Sequence, residues 1–188
     1  MLQFTQMKVL HYSDKGVKNI LDLYNECDIF ITTGDLRFVD FVGIGQLQFK
    51  VPSFGVYGNH DDGCSYLLDN NIENVHNKVV NFNGLILGGF QGCLRYNTRE
   101  IQYTEDEAKT FYENFPYVDI LILHAGPFGL LDDQSDVVHT GSKYIRKYVD
   151  DKKPKFVFCG HQYSEAEMTY GTTKIFRTYG ARTIDINL

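Results

Sequence analysis

The chain has 188 residues and a formal net charge of −6, enough length for one well-packed core and no basic surplus of the kind a broad nucleic-acid surface needs. Its hydrophobic share of 43% and charged share of 22% are those of an ordinary soluble globular protein. No apolar run approaches the roughly 20 residues of a membrane span, and "MLQFTQMKVLHYSD" lacks the basic-then-apolar order of a signal peptide, so a cytoplasmic protein is expected.

Along the chain, short apolar runs end abruptly in Gly, Asp, Asn or His, and helical patterns alternate with them. The first run is "MKVLHYSD" (7–14), followed by "GVKNILDLYNE" (16–26), where Val17, Ile20, Leu21 and Tyr24 fall on one helical face. "DIFITTGD" (28–35), "SFGVYGNHDD" (53–62) and "LILGGF" (85–90) have the length of buried strands. In "TEDEAKTFYENFP" (104–116), Thr104 and Glu107 stand as a capping box, with Ala108, Phe111, Tyr112 and Phe115 inward.

The strand "VDILILHAG" (118–126) precedes the helix "SKYIRKYVDDKKP" (142–154), with Ser142 as cap and Ile145, Tyr148 and Val149 inward. "KFVFCGH" (155–161), a hairpin turning at Gly171 and a last strand at "TIDINL" complete the chain. No linker or repeat divides this series, which reads as a single α/β domain over 1–188. Cys27, Cys64, Cys93 and Cys159 are scattered without a CxxC and are expected to be small buried hydrophobes.

Open α/β sheets gather ligands at the carboxyl ends of their strands. Here those ends carry Asp14, Asp35, Asn59, His60, Asp61, His124 and His161, from five separate runs. Any one of them is an ordinary turn former or satisfied core group; five ends bearing ligand-type residues together imply a metal centre. Carboxylate, amide oxygen and imidazole in one set suit Mn, Fe, Zn and similar ions better than calcium.

The segments "SDKG", "TGD", "YGNHDD", "LHAGP" and "CGHQY", in this order, resemble the five motifs of the calcineurin-like metallophosphoesterases, and "HAGPFGLLD" with "HTGSKYIRKYV" is similar to the small single-domain members. The resemblance implies a four-layer αββα sandwich of two mixed sheets and a two-metal phosphoester hydrolase. Asp35 would bridge the metals, and Asn59, His124 and His161 would complete the second site. His60 would be the general acid, held by Asp61, with a metal-bound hydroxide as nucleophile. The implied cofactor is a divalent transition metal, Mn foremost, with Fe, Zn, Ni or Mg admissible. The implied partner is a small phosphoester or nucleotide, with no membrane.

The first metal site departs from the pattern twice. The family's DxH is Asp14-Lys15-Gly16 here, and the second His of GHxH is Tyr163, leaving Asp14, Asp35 and Tyr163. Purple acid phosphatases use a tyrosinate from a GDxxY motif, but the matching position is Phe38. Three readings stay open: two metals with Tyr163 as phenolate, one firm metal with a weak second, or a binding module without catalysis. Arg37, Arg95, His139 and the "PFG" turn at 127–129 are candidate phosphate contacts, and Lys15 could replace part of the missing positive charge. His11 and His76 read as structural.

Overall fold

The computed structural model describes residues 6–47 and 50–187. In chain order it contains β1 (Gln6–Ser13), α1 (Ile20–Asn25), β2 (Ile29–Thr32), β3 (Ser53–Gly55), α2 (Tyr66–Asp69), β4 (Glu73–Asn74), β5 (Val79–Phe82) and β6 (Leu85–Phe90). There follow β7 (Cys93–Leu94), β8 (Gln102–Tyr103), α3 (Glu105–Asn114), β9 (Ile120–Leu123), α4 (Lys143–Lys152), β10 (Phe156–Cys159), β11 (Ala166–Tyr170), β12 (Thr173–Arg177) and β13 (Gly180–Asn187).

Two mixed sheets result, ordered β13-β1-β2-β3-β4 and β11-β12-β10-β9-β6-β5. In the first, β1, β2, β3 and β4 run parallel and β13 is antiparallel to β1. In the second, β6, β9, β10 and β12 are parallel, with β5 and β11 antiparallel at the edges.

Strand alternation sorts the apolar side chains into three layers. Met7, Val9, Ile29 and Ile31 of the first sheet meet Ile120, Ile122, Phe156 and Phe158 of the second, forming the core between the sheets. Leu10, Tyr12 and Phe30 turn the other way, onto Ile20, Tyr24 and Tyr66. Leu121, Leu123, Val157 and Ile175 face Phe111, Tyr148 and Val149 of α3 and α4. The central strands therefore bury both faces, which is why their sequences run apolar without a polar alternation, whereas β5, β11 and β13 alternate. The outcome is the expected αββα sandwich.

Two helices start where their caps predict. Thr104 Oγ1 accepts the Glu107 N–H at 3.2 Å while Glu107 accepts from the Thr104 N–H at 2.7 Å, an arrangement that contributes about 1 kcal/mol. Ser142 Oγ accepts from Tyr144 and Ile145 at the start of α4. The helix expected over 16–26 forms only from Ile20. Val17 N–H is drawn to the Tyr12 hydroxyl, and Asn19 gives no side-chain cap. The last strand starts at Gly180, ahead of "TIDINL", because β1 pairs with it over its whole length. Cys64 corrects the cysteine expectation: it is exposed, while the other three free cysteines are buried. Among the described residues no helix is long and apolar enough to cross a membrane.

His11 belongs to the inter-sheet layer. It is fully buried, its ring edge meets Phe158 with centroids 5.2 Å apart, and Nδ1 has no hydrogen-bond partner among the described residues. Burial first, and the charge of Arg182 second, push its pKa from 6.5 down to about 3. Between these values the unfolded chain holds a proton that the folded chain excludes, so stability falls as pH drops, at a limiting slope of about 1.4 kcal/mol per pH unit. His11→Gln is expected to flatten that acid slope while keeping a donor toward Thr33. Urea unfolding of both proteins from pH 7 to pH 4 measures it, and equal slopes would exclude His11 as the source.

Candidate metal centre

The carboxyl ends of β1, β2, β9 and β10 lie side by side across the two sheets, and the chain turns sharply just after three of them. Asp14, Asp35 and His161 all take left-handed backbone, with φ of 63°, 55° and 68°. Such a conformation costs a non-glycine residue of order 1–3 kcal/mol and persists only where the surroundings enforce it. The enforcing contacts are visible. Asp14 N–H donates to the Gly34 carbonyl at 3.0 Å, Asp35 N–H to Asp61 Oδ2 at 2.8 Å, and His161 N–H to the Asp14 carboxylate at 3.0 Å and 3.2 Å.

Each turn aims its side chain inward. Asp35, His124 and His161 each bring a ligand atom within 4.8 Å of the others. His124 Nε2 lies 3.3 Å from Asp35 Oδ2, 3.1 Å from His161 Nδ1 and 2.8 Å from Asn59 Oδ1.

The far sides of both rings are committed. His124 Nδ1 sits 2.6 Å from the Thr33 carbonyl and His161 Nε2 sits 2.7 Å from the Val138 carbonyl, so each of those nitrogens is the one that carries hydrogen. Asn59 Nδ2 donates to the Tyr96 hydroxyl at 3.0 Å, which turns Oδ1 toward His124. Two imidazole lone pairs, an amide oxygen and a carboxylate oxygen therefore converge with no hydrogen assigned between them. A proton on His124 Nε2 serves only some of these acceptors, whereas a cation satisfies all four, and the mixture of N and O donors is that of a transition-metal site.

The titration behaviour expresses the same crowding. Burial opposes charge on His124, but the Asp35 carboxylate, its hydrogen bond and the more distant Asp14 push its pKa up to about 9. Burial likewise opposes charge on Asp35, yet His124 and the His60 backbone N–H hold that carboxyl down at about 2. His161, buried and beside a charged His124, falls to about 3. Asp14 rises to about 6, chiefly through burial.

The remaining expected residues fall less uniformly. Asp14 lines the same cleft but does not join the tight cluster of Asp35, His124 and His161. Tyr163 is 72% exposed and packs edge-on against His139 and Tyr179. His60 opens onto the cleft, its side chain 53% exposed and Nε2 4.0 Å from Asp35 Oδ2.

Asp61 corrects the expectation that it holds the His60 ring. Its Oδ2 accepts from the Gly58 and Asp35 N–H groups at 2.7 Å and 2.8 Å and from the Tyr66 hydroxyl at 2.5 Å, so it braces the turn that carries Asp35. Arg37 and Arg95 are also engaged elsewhere. Arg37 pairs with Asp40 at 3.0 Å, and Arg95 donates to the Gln102 carbonyl at 2.8 Å. Lys15 lies over the Tyr179 ring at 5.2 Å. His76 accepts from Gln91 N–H and rests on Phe90, a structural role.

Residues that the sequence did not single out complete the site. Thr33 supplies the carbonyl behind His124, and its hydroxyl joins His11 to Ser13, whose hydroxyl donates to Asp14. Tyr66 and Tyr96 support Asp61 and Asn59. Ser13 and Thr33 open the "SDKG" and "TGD" segments, which is the signal that could have found them; Tyr66 and Tyr96 lie outside the motifs.

A family model described as "Metallophosphoesterase, calcineurin superfamily" matches residues 25–175. A search of curated proteins gave no match. Among solved structures, the chain is similar to TT1561 of Thermus thermophilus at 16% identity and a TM-score of 0.63, over 97% of this chain and 99% of that one. It is also similar to the phosphopantetheinyl hydrolase PptH of Mycobacterium tuberculosis, at 10% identity and a TM-score of 0.62, over 96% of each chain. A putative 5'-nucleotidase of Staphylococcus aureus aligns at 13% identity and a TM-score of 0.55, over 96% of this chain and 50% of that one. At these identities the likeness establishes the shared fold.

Gly160 exists at a close approach: a Cβ there would overlap Ser13 Oγ and the Asp14 carboxylate. Gly160→Ala is expected to destabilise the protein by about 1–3 kcal/mol through overpacking. Urea unfolding measures the loss, and a variant as stable as the parent would show that the Asp14 turn yields freely.

Proposed function

Because the chain belongs to the metallophosphoesterases of the calcineurin superfamily, we propose that it hydrolyses a small phosphoester, a phosphodiester or a nucleotide, with a divalent transition metal held by Asp35, Asn59, His124 and His161. The observation that carries this reading is the convergence of four acceptor atoms whose hydrogen-bearing partners all lie on the far side. Mn suits such a set, and Fe, Zn, Ni or Mg can enter the same donors. Bound there, the cation supplies Lewis-acid polarisation and a nucleophile usable near neutral pH.

The chain's own residues do the rest. Asp35 divides its carboxylate: Oδ1 accepts the His60 N–H at 2.8 Å, which leaves Oδ2 for the cluster. The oxygen of water bonds to phosphorus as the ester P–O bond breaks, the open His60 ring would pass its Nε2 proton to the departing oxygen, and the proton that the water gives up restores the ring. Asp61 is a positioning residue for the Asp35 turn. Asp14 and Tyr163, with Asp35, border a weaker second position on the same cleft.

A second reading, a nucleotide- or protein-binding module, is favoured by one observation: among the described residues no carboxylate hydrogen-bonds the His60 ring, so the expected acid lacks its orienting partner.

Mn titration by calorimetry and turnover of an aryl phosphodiester separate the two readings. One tight Mn per chain is expected, lost in His124→Ala. Turnover should fall roughly 10²–10⁴-fold in His60→Ala with Mn binding retained. Mn binding and nucleotide binding without turnover in the parent protein would leave only the binding module. Tyr163→His is expected to add a second tight Mn and raise turnover; no change in either would reject Tyr163 as a ligand position.

A further inference from the structure

The cleft over the candidate centre has a volume of about 270 Å³, and two phenol rings, those of Tyr163 and Tyr179, complete its wall. Of the large apolar and aromatic side chains left exposed among the described residues, only Tyr163 borders this cleft. A single exposed aromatic elsewhere on a surface calls for no explanation. This one stands beside the donor set of Asp35 and His161, where a bound molecule would meet it.

The Tyr163 ring has neighbours but no stacking partner. The His139 ring lies at 70° to it with centroids 5.3 Å apart, and the Tyr179 ring at 90° with centroids 5.9 Å apart. Both contacts are edge-on, so among the described residues no ring lies parallel on Tyr163. Tyr179 is itself braced, with the Lys15 ammonium 5.2 Å from its ring centroid.

The exposed side chain stands on backbone that is held on both sides. Gln162 Nε2 donates to the His139 carbonyl at 2.7 Å, which ties the preceding residue to the loop before α4. Arg177 of β12 donates to the Ser164 carbonyl at 2.9 Å and to Ser164 Oγ at 2.8 Å, which ties the following residue to the sheet. A phenol has only two side-chain torsions to order. An anchored tyrosine therefore offers a flat contact face at small entropic cost.

A flat π face beside a centre that takes a phosphoryl group suits a planar group carried by the same molecule. Stacking asks for no particular hydrogen-bond pattern and no change of charge on the phenol. An aryl ring or a nucleobase fits such a face, whereas a short alkyl group gains little from it.

We infer that Tyr163 is a specificity-determining residue of this cleft: the organic group of the phosphoester is a planar aromatic ring that stacks on Tyr163, with Tyr179 and His139 as the supports of that wall. The inference rests on the phosphoesterase reading for the phosphoryl end of the molecule, so binding and turnover are measured apart.

The experiment uses the full chain loaded with Mn, and calorimetry with benzylphosphonate and ethylphosphonate. In both, a CH2 group replaces the ester oxygen, so neither is hydrolysed. The readout is the ratio of the two affinities within one protein, with metal analysis of every variant. The parent is expected to prefer benzylphosphonate roughly five- to a hundredfold, the range of one aromatic stacking contact. Tyr163→Leu, which keeps an apolar side chain without a ring face, should lose most of that preference, and Tyr163→Phe should keep it. A parent without the preference, or a preference that survives in Tyr163→Leu, would overturn the inference. Equal weakening of both phosphonates in Tyr163→Leu would overturn it too, since Tyr163 would then act on the phosphoryl end or the metal. Loss of the preference in Tyr163→Phe would transfer the effect from the ring to the hydroxyl and reject stacking. A parent that shows the preference but turns over no aryl phosphodiester would reject the phosphoesterase reading and leave the Tyr163 assignment standing. A parent that binds neither phosphonate would reject the assignment, and turnover of the diester would then decide the phosphoesterase reading alone.

Discussion

Four acceptor atoms from four different strand ends are held against one another in the interior, and much of the architecture serves to keep them there. With neither a proton on His124 Nε2 nor a cation among them, the Asp35 carboxylate, the Asn59 amide oxygen and the facing nitrogens of His124 and His161 repel. Nothing in the apolar layers draws them together. What holds them is a ring of backbone groups behind: the carbonyls of Thr33 and Val138 and the N–H groups of Gly58, His60 and His161. Thr33 follows directly on β2 and His161 stands two positions past β10, strands whose positions are fixed by both of their buried faces, and Val138 brings its carbonyl from the loop before α4. The packing energy of the sandwich is thereby used to maintain an arrangement that is unfavourable without a positive charge at its middle.

The same logic explains the left-handed turns. A strand that simply continued past Ser13, Thr32 or Cys159 would keep its side chains perpendicular to the sheet. Reversal at Asp14, Asp35 and His161 swings them over the sheet ends instead. The turns reinforce one another, because the N–H freed by the His161 turn is taken by Asp14 and the N–H freed by the Asp35 turn is taken by Asp61. The chain from His11 through Thr33 and Ser13 extends this bracing into the layer between the sheets. A side chain that parity sends away from Asp14 is thus joined to it through two hydroxyls.

Most of the architecture was legible in the sequence because it rests on patterns one residue type at a time can signal. Apolar runs marked the central strands, Thr104 and Ser142 marked α3 and α4, and Asp, Asn and His at successive strand ends marked the rim. What the sequence could not display was pairing between side chains brought close by folding. Asp61 follows His60 directly, and adjacency suggested a partnership, but the turn carries the Asp61 carboxylate inward to Tyr66 and two backbone amides. The imidazole–carboxylate pair lies instead in the loop before α4, where His139 follows Asp136 by three positions and no periodic pattern exists to read. Likewise Arg37 and Arg95 look available as letters, and are not, because their partners were not visible. The short α2 left no periodicity at all.

The asymmetry between the two halves of the cleft follows from how each is anchored. The cluster around His124 draws its donors from buried residues on strand ends or turns, each held from behind. The other half has one anchored group, Asp14, whose carboxylate is held by Ser13 and the His161 N–H. Opposite it stands Tyr163, exposed, with ring contacts to His139 and Tyr179. Where a second imidazole would complete a site, a phenol gives a weaker ligand at neutral pH but a broad apolar edge. That edge lies against His139, so the same side chain also walls the loop imidazole that has the Asp136 carboxylate behind it. A phenol rather than an imidazole at position 163 and the packing of the ring at 139 thus come from the same side chain, so the two halves of the cleft differ in how their groups are held as well as in which groups they present.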